Sequence, residues 1–286
     1  MSSDSFDLRA VEQAIAGTEF AGQLHHVAST ASTNDLALQA AQSGARHGVW
    51  IAGEQTAGRG RGNHAWHSSP GDGLYMSVLT APFISMQSAL SLSFTTAIAV
   101  QSAISSIAGF RRPNEIDIRW PNDLLLTGKD GTARKCGGIL IDAASNPATP
   151  TQPAMLRHAV IGIGVNLNHL VFPPELDPIV TSLRRELPNP SQPFRCEPLA
   201  AAILVALDEG ILRITTNTQQ PTTNNLPGLS LYSSWISGKR VRVDARDGDP
   251  GGYTGVTAGL DPHGFLRVLG DDGQLHTVLS GGLREA

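Results

Sequence analysis

Cysteine is nearly absent: Cys136 and Cys196 are the only two in 286 residues and lie far apart. No disulfide framework organises such a chain, and a reducing cytoplasm is its expected home. Charge is sparse at 16%, with 21 Lys and Arg against 25 Asp and Glu and a net charge of −4. That balance excludes a global attraction to nucleic acid or to an anionic membrane. Long apolar runs are also lacking. The greasiest stretch, residues 85–110, is broken by Gln87, Thr95, Thr96 and Gln101, so it reads as a buried helix rather than a span of lipid. The start, MSSDSFDLRAVEQ, is acidic and has no apolar core of an export signal. What remains, 41% hydrophobic, suffices for one large domain and a small one.

Against this mildly acidic background one segment stands out, residues 54–78, EQTAGRGRGNHAWHSSPGDGLYMSV. Gly58, Gly60 and Gly62 allow positive φ and close backbone approach, while Arg59 and Arg61 carry planar forks suited to carboxylate or phosphate. The pattern suits a lid over a small anionic ligand. Taken alone, it reads equally well as a flexible basic turn. Strand-like runs flank it, Val49-Trp50-Ile51-Ala52 before and Leu74 to Leu79 after.

Upstream, Ser32-Thr33-Asn34-Asp35 precedes a helical run of Leu and Ala that stops at Gly44, so a helix N-terminus sits at residues 32–34. A long helix is expected at about 86–107, then a short strand, Ile116 to Trp120, stopped by Pro121. Lys135-Cys136-Gly137-Gly138 leads into Ile139-Leu140-Ile141-Asp142, a loop at 143–153, and an apolar run at 159–165 that ends at Asn166-Leu167-Asn168. Together these predict a hairpin. Residues 197–212 have helical spacing, and 215–229, rich in Thr, Asn, Gln and Pro, are expected to be mobile. After Trp235 come short alternating runs at 240–243, 254–256 and 265–268, the mark of a small β-barrel.

Two clusters promise chemistry. Arg119-Trp120-Pro121-Asn122-Asp123 places a cation, an indole and polar groups at a strand end, although an Asn-Asp turn fits the same residues. Lys135 beside a glycine pair is placed to stabilise developing negative charge, although a solvated lysine next to Arg134 is the blander reading. His64 and His67 lack companions for a zinc site, Cys136 reads as small apolar packing, and GRGRGN lacks the ending of a Walker loop.

In their order and spacing, S32-T33-N34, E54-Q55, G58-R59-G60-R61, W66, R119-W120-P121-N122-D123, K135-x-G-G-I-L and G162-I-G-V-N166 resemble the biotin protein ligases. The likeness extends over residues 29–168, and the terminal segment with Ser280-Gly281-Gly282 is similar to that family's small barrel. It implies an α+β fold: a central mixed sheet flanked by helices, like class II aminoacyl-tRNA synthetases and lipoate ligases, over residues 1–236, and an SH3-like barrel over 237–286. It also implies ATP-dependent formation of biotinyl-5′-AMP, with Mg2+ carried by the nucleotide and no dedicated protein metal site. Biotin is then transferred to a lysine of a biotin carboxyl carrier protein such as that of acetyl-CoA carboxylase.

The roles implied by this resemblance are specific. Biotin contacts are Ser32, Thr33, Asn34, Gln55, Arg59, Gly60, Arg61, Lys135 and Gly137. Adenylate contacts are Arg59, Arg61, Trp66, Arg119, Asn122, Asp123, Lys135 and Asn166. Lys135, Arg61 and Asp123 are the catalytic candidates, Asp123 as acceptor of the incoming lysine's proton. Relatives usually carry lysine where Arg119 stands and further basic residues where Gly62-Asn63-His64 stand. Some relatives bind operators through an N-terminal helix-turn-helix. The 31 residues before Ser32 are too few for one, so the monofunctional type, without nucleic acid or membrane as partner, is expected as monomer or homodimer. Lipoate or octanoate attachment is the competing enzyme reading, and a plain interaction protein with a flexible loop is the third.

Overall fold

The run GLYMSVLT at Gly73–Thr80 is buried at every position, the signature of a strand covered on both faces. A computed structural model, described here for residues 6–109, 115–187, 193–216, 232–244, 252–279 and 282–286, places it inside a seven-stranded sheet. In chain order the elements are α1 (Leu8–Ala14), β1 (Leu24–Val27), α2 (Thr33–Gln42), β2 (Gly48–Ala52), β3 (Gly73–Thr80), α3 (Ala89–Ala108), β4 (Ile116–Arg119) and β5 (Asp123–Thr127). They continue with β6 (Ala133–Asn146), β7 (Met155–Asn166), α4 (Leu183–Glu186), α5 (Cys196–Thr216), β8 (Ser237–Val243), β9 (Tyr253–Leu260), β10 (Leu266–Gly270), β11 (Leu275–Val278) and β12 (Leu283–Glu285).

The large sheet runs β1-β2-β3-β7-β6-β5-β4. It is mixed, because β1 and β2 pair parallel while every other neighbour pair is antiparallel. Helices α3 and α5 pack on each other and bury Leu92, Val100, Ile104, Leu204 and Leu207 with Met76, Ile161 and Ile163 of the sheet. Helix α2 covers the other face through Ala37 against Leu79 and Val160. The segment Met86–Ala108 is long and apolar enough to cross a membrane by length and composition, yet here it is a core helix of the larger domain.

Two expectations change. Residues 120–122 form a turn, as the Asn-Asp reading allows, but Asp123 then opens the additional strand β5, which buries Leu124, Leu125 and Leu126. β6 extends to Asn146, so the loop begins later than expected. Helix α2 ends at Gln42, and Gly44, with φ of 97° in the left-handed region, follows it as the expected glycine stop. The run expected to be mobile begins as the last turn of α5, and its residues 217–229 lie outside the described residues.

Strands β11-β10-β9-β8-β12 form a separate antiparallel sheet of SH3-like type. Its core, Val241, Val243, Leu266, Val268 and Val278, joins Trp120, Leu125, Trp235 and Ile236. The Trp120 indole donates to the Gly264 carbonyl at 3.1 Å, which ties the turn after β4 to the smaller sheet. Arg119 and Lys239 both stack over the Trp235 ring, at 5.7 and 5.1 Å. Trp235→Ala removes this shared anchor and is expected to cost about 3–5 kcal/mol in chemical denaturation, with the barrel loosening first by hydrogen exchange.

Candidate active site

Two glycines on β7 make the floor. A side chain at Gly162 would put Cβ 2.3 Å from Asn34 Oδ1, and one at Gly164 would meet the Trp66 indole at 2.5 Å. These residues therefore let two side chains from other elements lie flat on the sheet. Asn34 belongs to the first turn of α2, where Ser32 is the N-cap residue but makes no side-chain cap bond. The cap geometry is present and the usual cap interaction is not, as at a helix end that serves a ligand.

The polar groups at this end are ordered by one another. The Thr33 backbone N–H and hydroxyl donate to Gln55 Oε1 at 2.8 and 3.0 Å, and Gln55 Nε2 donates to the Ser68 hydroxyl at 3.1 Å. The buried Ser77 hydroxyl lies 2.7 Å from Thr33 Oγ1 and 2.6 Å from Asn34 Oδ1. Asn34 Nδ2 donates to Asp142 at 3.1 Å. A connected network of this kind fixes the direction of each donor and acceptor.

At the opposite end Lys135 Nζ pairs with Asp123 at 2.6 Å and sits over the Trp66 ring at 5.3 Å. The other Asp123 oxygen accepts from Arg119 at 2.6 Å. Burial pushes the Asp123 carboxyl up, but Lys135 and Arg119 outweigh it and hold it below the usual carboxylate range. Burial lowers the Arg61 guanidinium, with Asp123 pulling it back up and Arg119 lowering it further, so Arg61 faces this charged end. Asn122 Nδ2 donates to the Ile139 carbonyl at 2.9 Å.

The lining of a small cavity of about 40 Å³ brings together most of the expected residues. Ser32, Thr33, Asn34 and Gln55 stand at one end, Arg59, Gly60 and Arg61 come from the lid, and Trp66, Asn122 and Lys135 stand at the other. An adjoining cavity of about 640 Å³ shares Arg61, Asn122, Ile139 and Leu140 with it and reaches His263 and Phe265 of the barrel.

Four expected residues lie outside both linings. Gly137 faces Leu124, and Gly138 takes its place beside Lys135 and Trp66. The cause is a bulge: Leu124 pairs with Gly137 while Leu125 pairs with Lys135, so Cys136 is the extra residue. That bulge puts Lys135 and Gly138 on one face although their spacing predicts opposite faces. Asn166 is buried and donates to the Thr181 carbonyl at 3.0 Å. Arg119 and Lys135 both pair with Asp123, Lys135 through Oδ1 and Arg119 through Oδ2, so the Asp123 carboxylate is held between two cations. The Arg59 guanidinium lines the cavity and pairs with Asp35 and Asp142 at the Asn34 end, each at 3.1 Å. The Cys136 thiol is buried and pushed up to about 12, in keeping with its packing role.

Asp123→Asn leaves Lys135 and Arg119 facing each other inside a site where the carboxylate is 16% exposed. The expected loss is about 3 kcal/mol by denaturant titration. Because the folded pKa is depressed, the wild-type stabilisation is complete above the ordinary aspartate value, about 3.9, and is lost as pH falls through the lower folded value. The variant lacks that pH dependence.

Comparison with known proteins agrees with this geometry. Residues 26–166 match the Biotin/lipoate A/B protein ligase family. The biotin--[acetyl-CoA-carboxylase] ligase of Mycobacterium tuberculosis is 32% identical over 266 residues, covering 91% of this chain and 87% of that protein. The bifunctional ligase/repressor BirA of Bacillus subtilis is 38% identical over 172 residues, 58% of this chain; the chain spans about half of its length, 48%. In fold, the structure matches biotin protein ligase from Aquifex aeolicus in complex with biotin and ATP, with a TM-score of 0.70, 21% identity and coverage of 93% of this chain and 100% of that one. Glycine floor, ordered polar end, lysine end and these likenesses agree: the chain belongs to the biotin/lipoate A/B protein ligase family, among its biotin protein ligases.

Proposed function

We propose that this chain is a biotin protein ligase that activates biotin with ATP and transfers it to a lysine of a biotin carboxyl carrier protein, such as that of acetyl-CoA carboxylase. The observation that carries this reading is the two-ended pocket. Ser32, Thr33, Asn34 and Gln55 offer fixed donors and acceptors for a ureido ring, and Lys135 stands at the far end for the carboxylate. The catalytic domain is residues 1–236 and the barrel 237–286.

In the first step a biotin carboxylate oxygen attacks the α-phosphorus of ATP. The bond to the bridging oxygen breaks, pyrophosphate leaves, and biotinyl-5′-AMP remains. Lys135 and Arg61 neutralise charge on the carboxylate and α-phosphate as it builds. Asp123 and Arg119 hold Lys135 in place, Trp66 walls the adenylate, and Asn122 faces the phosphates. In the second step the acceptor amine attacks the acyl carbon, its bond to the AMP oxygen breaks, and AMP departs. The larger cavity, past Arg61 and Asn122, gives room for nucleotide and acceptor side chain. Lid residues Gly60 and Arg61 shield the mixed anhydride from water.

Mg2+ supplies charge neutralisation on the ATP phosphates and enters with them. Asp35, Asp123 and Asp142 are each paired with a cation of the chain. ATP and the carrier protein place the reaction in the cytoplasm. The test is biotin-dependent exchange of labelled pyrophosphate into ATP. Exchange with biotin that excess lipoate does not compete away supports the reading; exchange with lipoate or octanoate alone refutes it.

A further inference from the structure

We infer that Asp142 is a positioning residue for biotin and that, with Asp35, it forms a carboxylate clasp for the lid residue Arg59. The inference rests on the biotin protein ligase reading and adds to it a group that sets the orientation of the ureido-reading amide. Oδ2 of Asp142 accepts from Arg59 Nη2 at 3.1 Å and from Asn34 Nδ2 at 3.1 Å. The same Arg59 nitrogen lies 3.1 Å from Asp35 Oδ1. One guanidinium thus joins the lid to α2, through Asp35, and to β6, through Asp142.

A carboxylate only accepts hydrogen bonds. Asn34 must therefore turn its amide nitrogen to Asp142 and its oxygen to Ser77, 2.6 Å away. Asp142 is the acceptor-only end of the chain of bonds that continues through Ser77, Thr33 and Gln55 to Ser68. Without it the Asn34 amide is free to rotate by half a turn and present the wrong atom to biotin. Lid closure and the orientation of Asn34 share one oxygen atom, so they are coupled.

The space under the closed lid, about 40 Å³, is far below the roughly 300 Å³ or more of ligand pockets. Biotin enters when Arg59 leaves its carboxylates, and closure behind it restores them. The side chains of Arg59, Asp35 and Asp142 are 42%, 48% and 33% exposed. Pairs of this kind are individually weak and salt-screened, which keeps a lid reversible.

The experiment measures biotin dissociation by stopped flow and steady-state kinetics. Asp142→Ala is expected to raise biotin koff and KM about tenfold, with KM affected more than kcat. Asp35→Asn, which opens one side of the clasp and leaves Asn34 oriented, raises koff about twofold. Wild-type koff rises with ionic strength, and that of Arg59→Ala does not. Asp142→Asn keeps the volume of the side chain and is expected to shift koff in the same direction, so a folding defect in the alanine variant does not stand in for the result. Wild-type koff and KM in both Asp142 variants, or a wild-type koff indifferent to salt, would overturn the clasp. A wild-type protein that binds no biotin overturns the functional reading itself.

Discussion

Replacing Lys135 by alanine is expected to lower biotin-dependent pyrophosphate exchange by roughly 10²–10³ while weakening biotin binding far less. The split follows from the two ends of the pocket. The ureido-reading network of Thr33, Asn34, Gln55 and Ser77 makes no bond to Lys135, so that end stays ordered and ground-state recognition loses only the carboxylate contact. Charge that accumulates on the carboxylate and α-phosphate loses its nearest point cation. Lys135→Arg is not expected to rescue the rate, because a planar guanidinium is broader than the ammonium and cannot occupy its point in space between Asp123 and Trp66. Exchange kinetics beside calorimetric titration with biotin check both halves.

Gly162→Ala is expected to weaken biotin binding about a hundredfold without unfolding the sheet. The added Cβ would lie 2.3 Å from Asn34 Oδ1 and 3.0 Å from its carboxamide carbon. Asn34 is buried and held by Ser77 and Asp142, so it can make room only by breaking the bonds that orient it. The unpaired polar groups then face the ureido ring. Gly164→Ala intrudes instead on Trp66 and is expected to slow adenylation more than it weakens biotin binding. Titration of each variant with biotin, alongside exchange rates, separates the two ends.

The sequence made the local parts legible. A glycine-arginine run between two strand-like segments, a helix start at Ser32, and Lys135 before a glycine pair each declare themselves through neighbours in the chain. The parts set by tertiary packing stayed hidden. β5 was hidden because Asn122-Asp123 is turn chemistry; the turn forms at 120–122, and only pairing with β4 and β6 makes the residues from Asp123 onward a strand. The bulge at Cys136 shifts the face of Gly137 and Gly138, which no period-two reading anticipates. Asp35 and Asp142 are separated by more than a hundred residues, so their common hold on Arg59 appears only in the folded chain. The glycines of GIGVN were visible as a motif, and their reason, room for Asn34 and Trp66, was not. Asn166, the last residue of that motif, is taken up by the Thr181 carbonyl.

On this reading the pocket makes biotinyl-5′-AMP and passes biotin to protein. Its most direct test incubates the wild-type chain with ATP, Mg2+, biotin and a purified biotin carboxyl carrier domain, and reads the intact mass of the carrier. The account predicts the gain of one biotinyl group on a single lysine, abolished when ATP is omitted and strongly slowed by Lys135→Ala. A carrier that stays unmodified with biotin while a lipoyl domain gains lipoate or octanoate under the same conditions would contradict it.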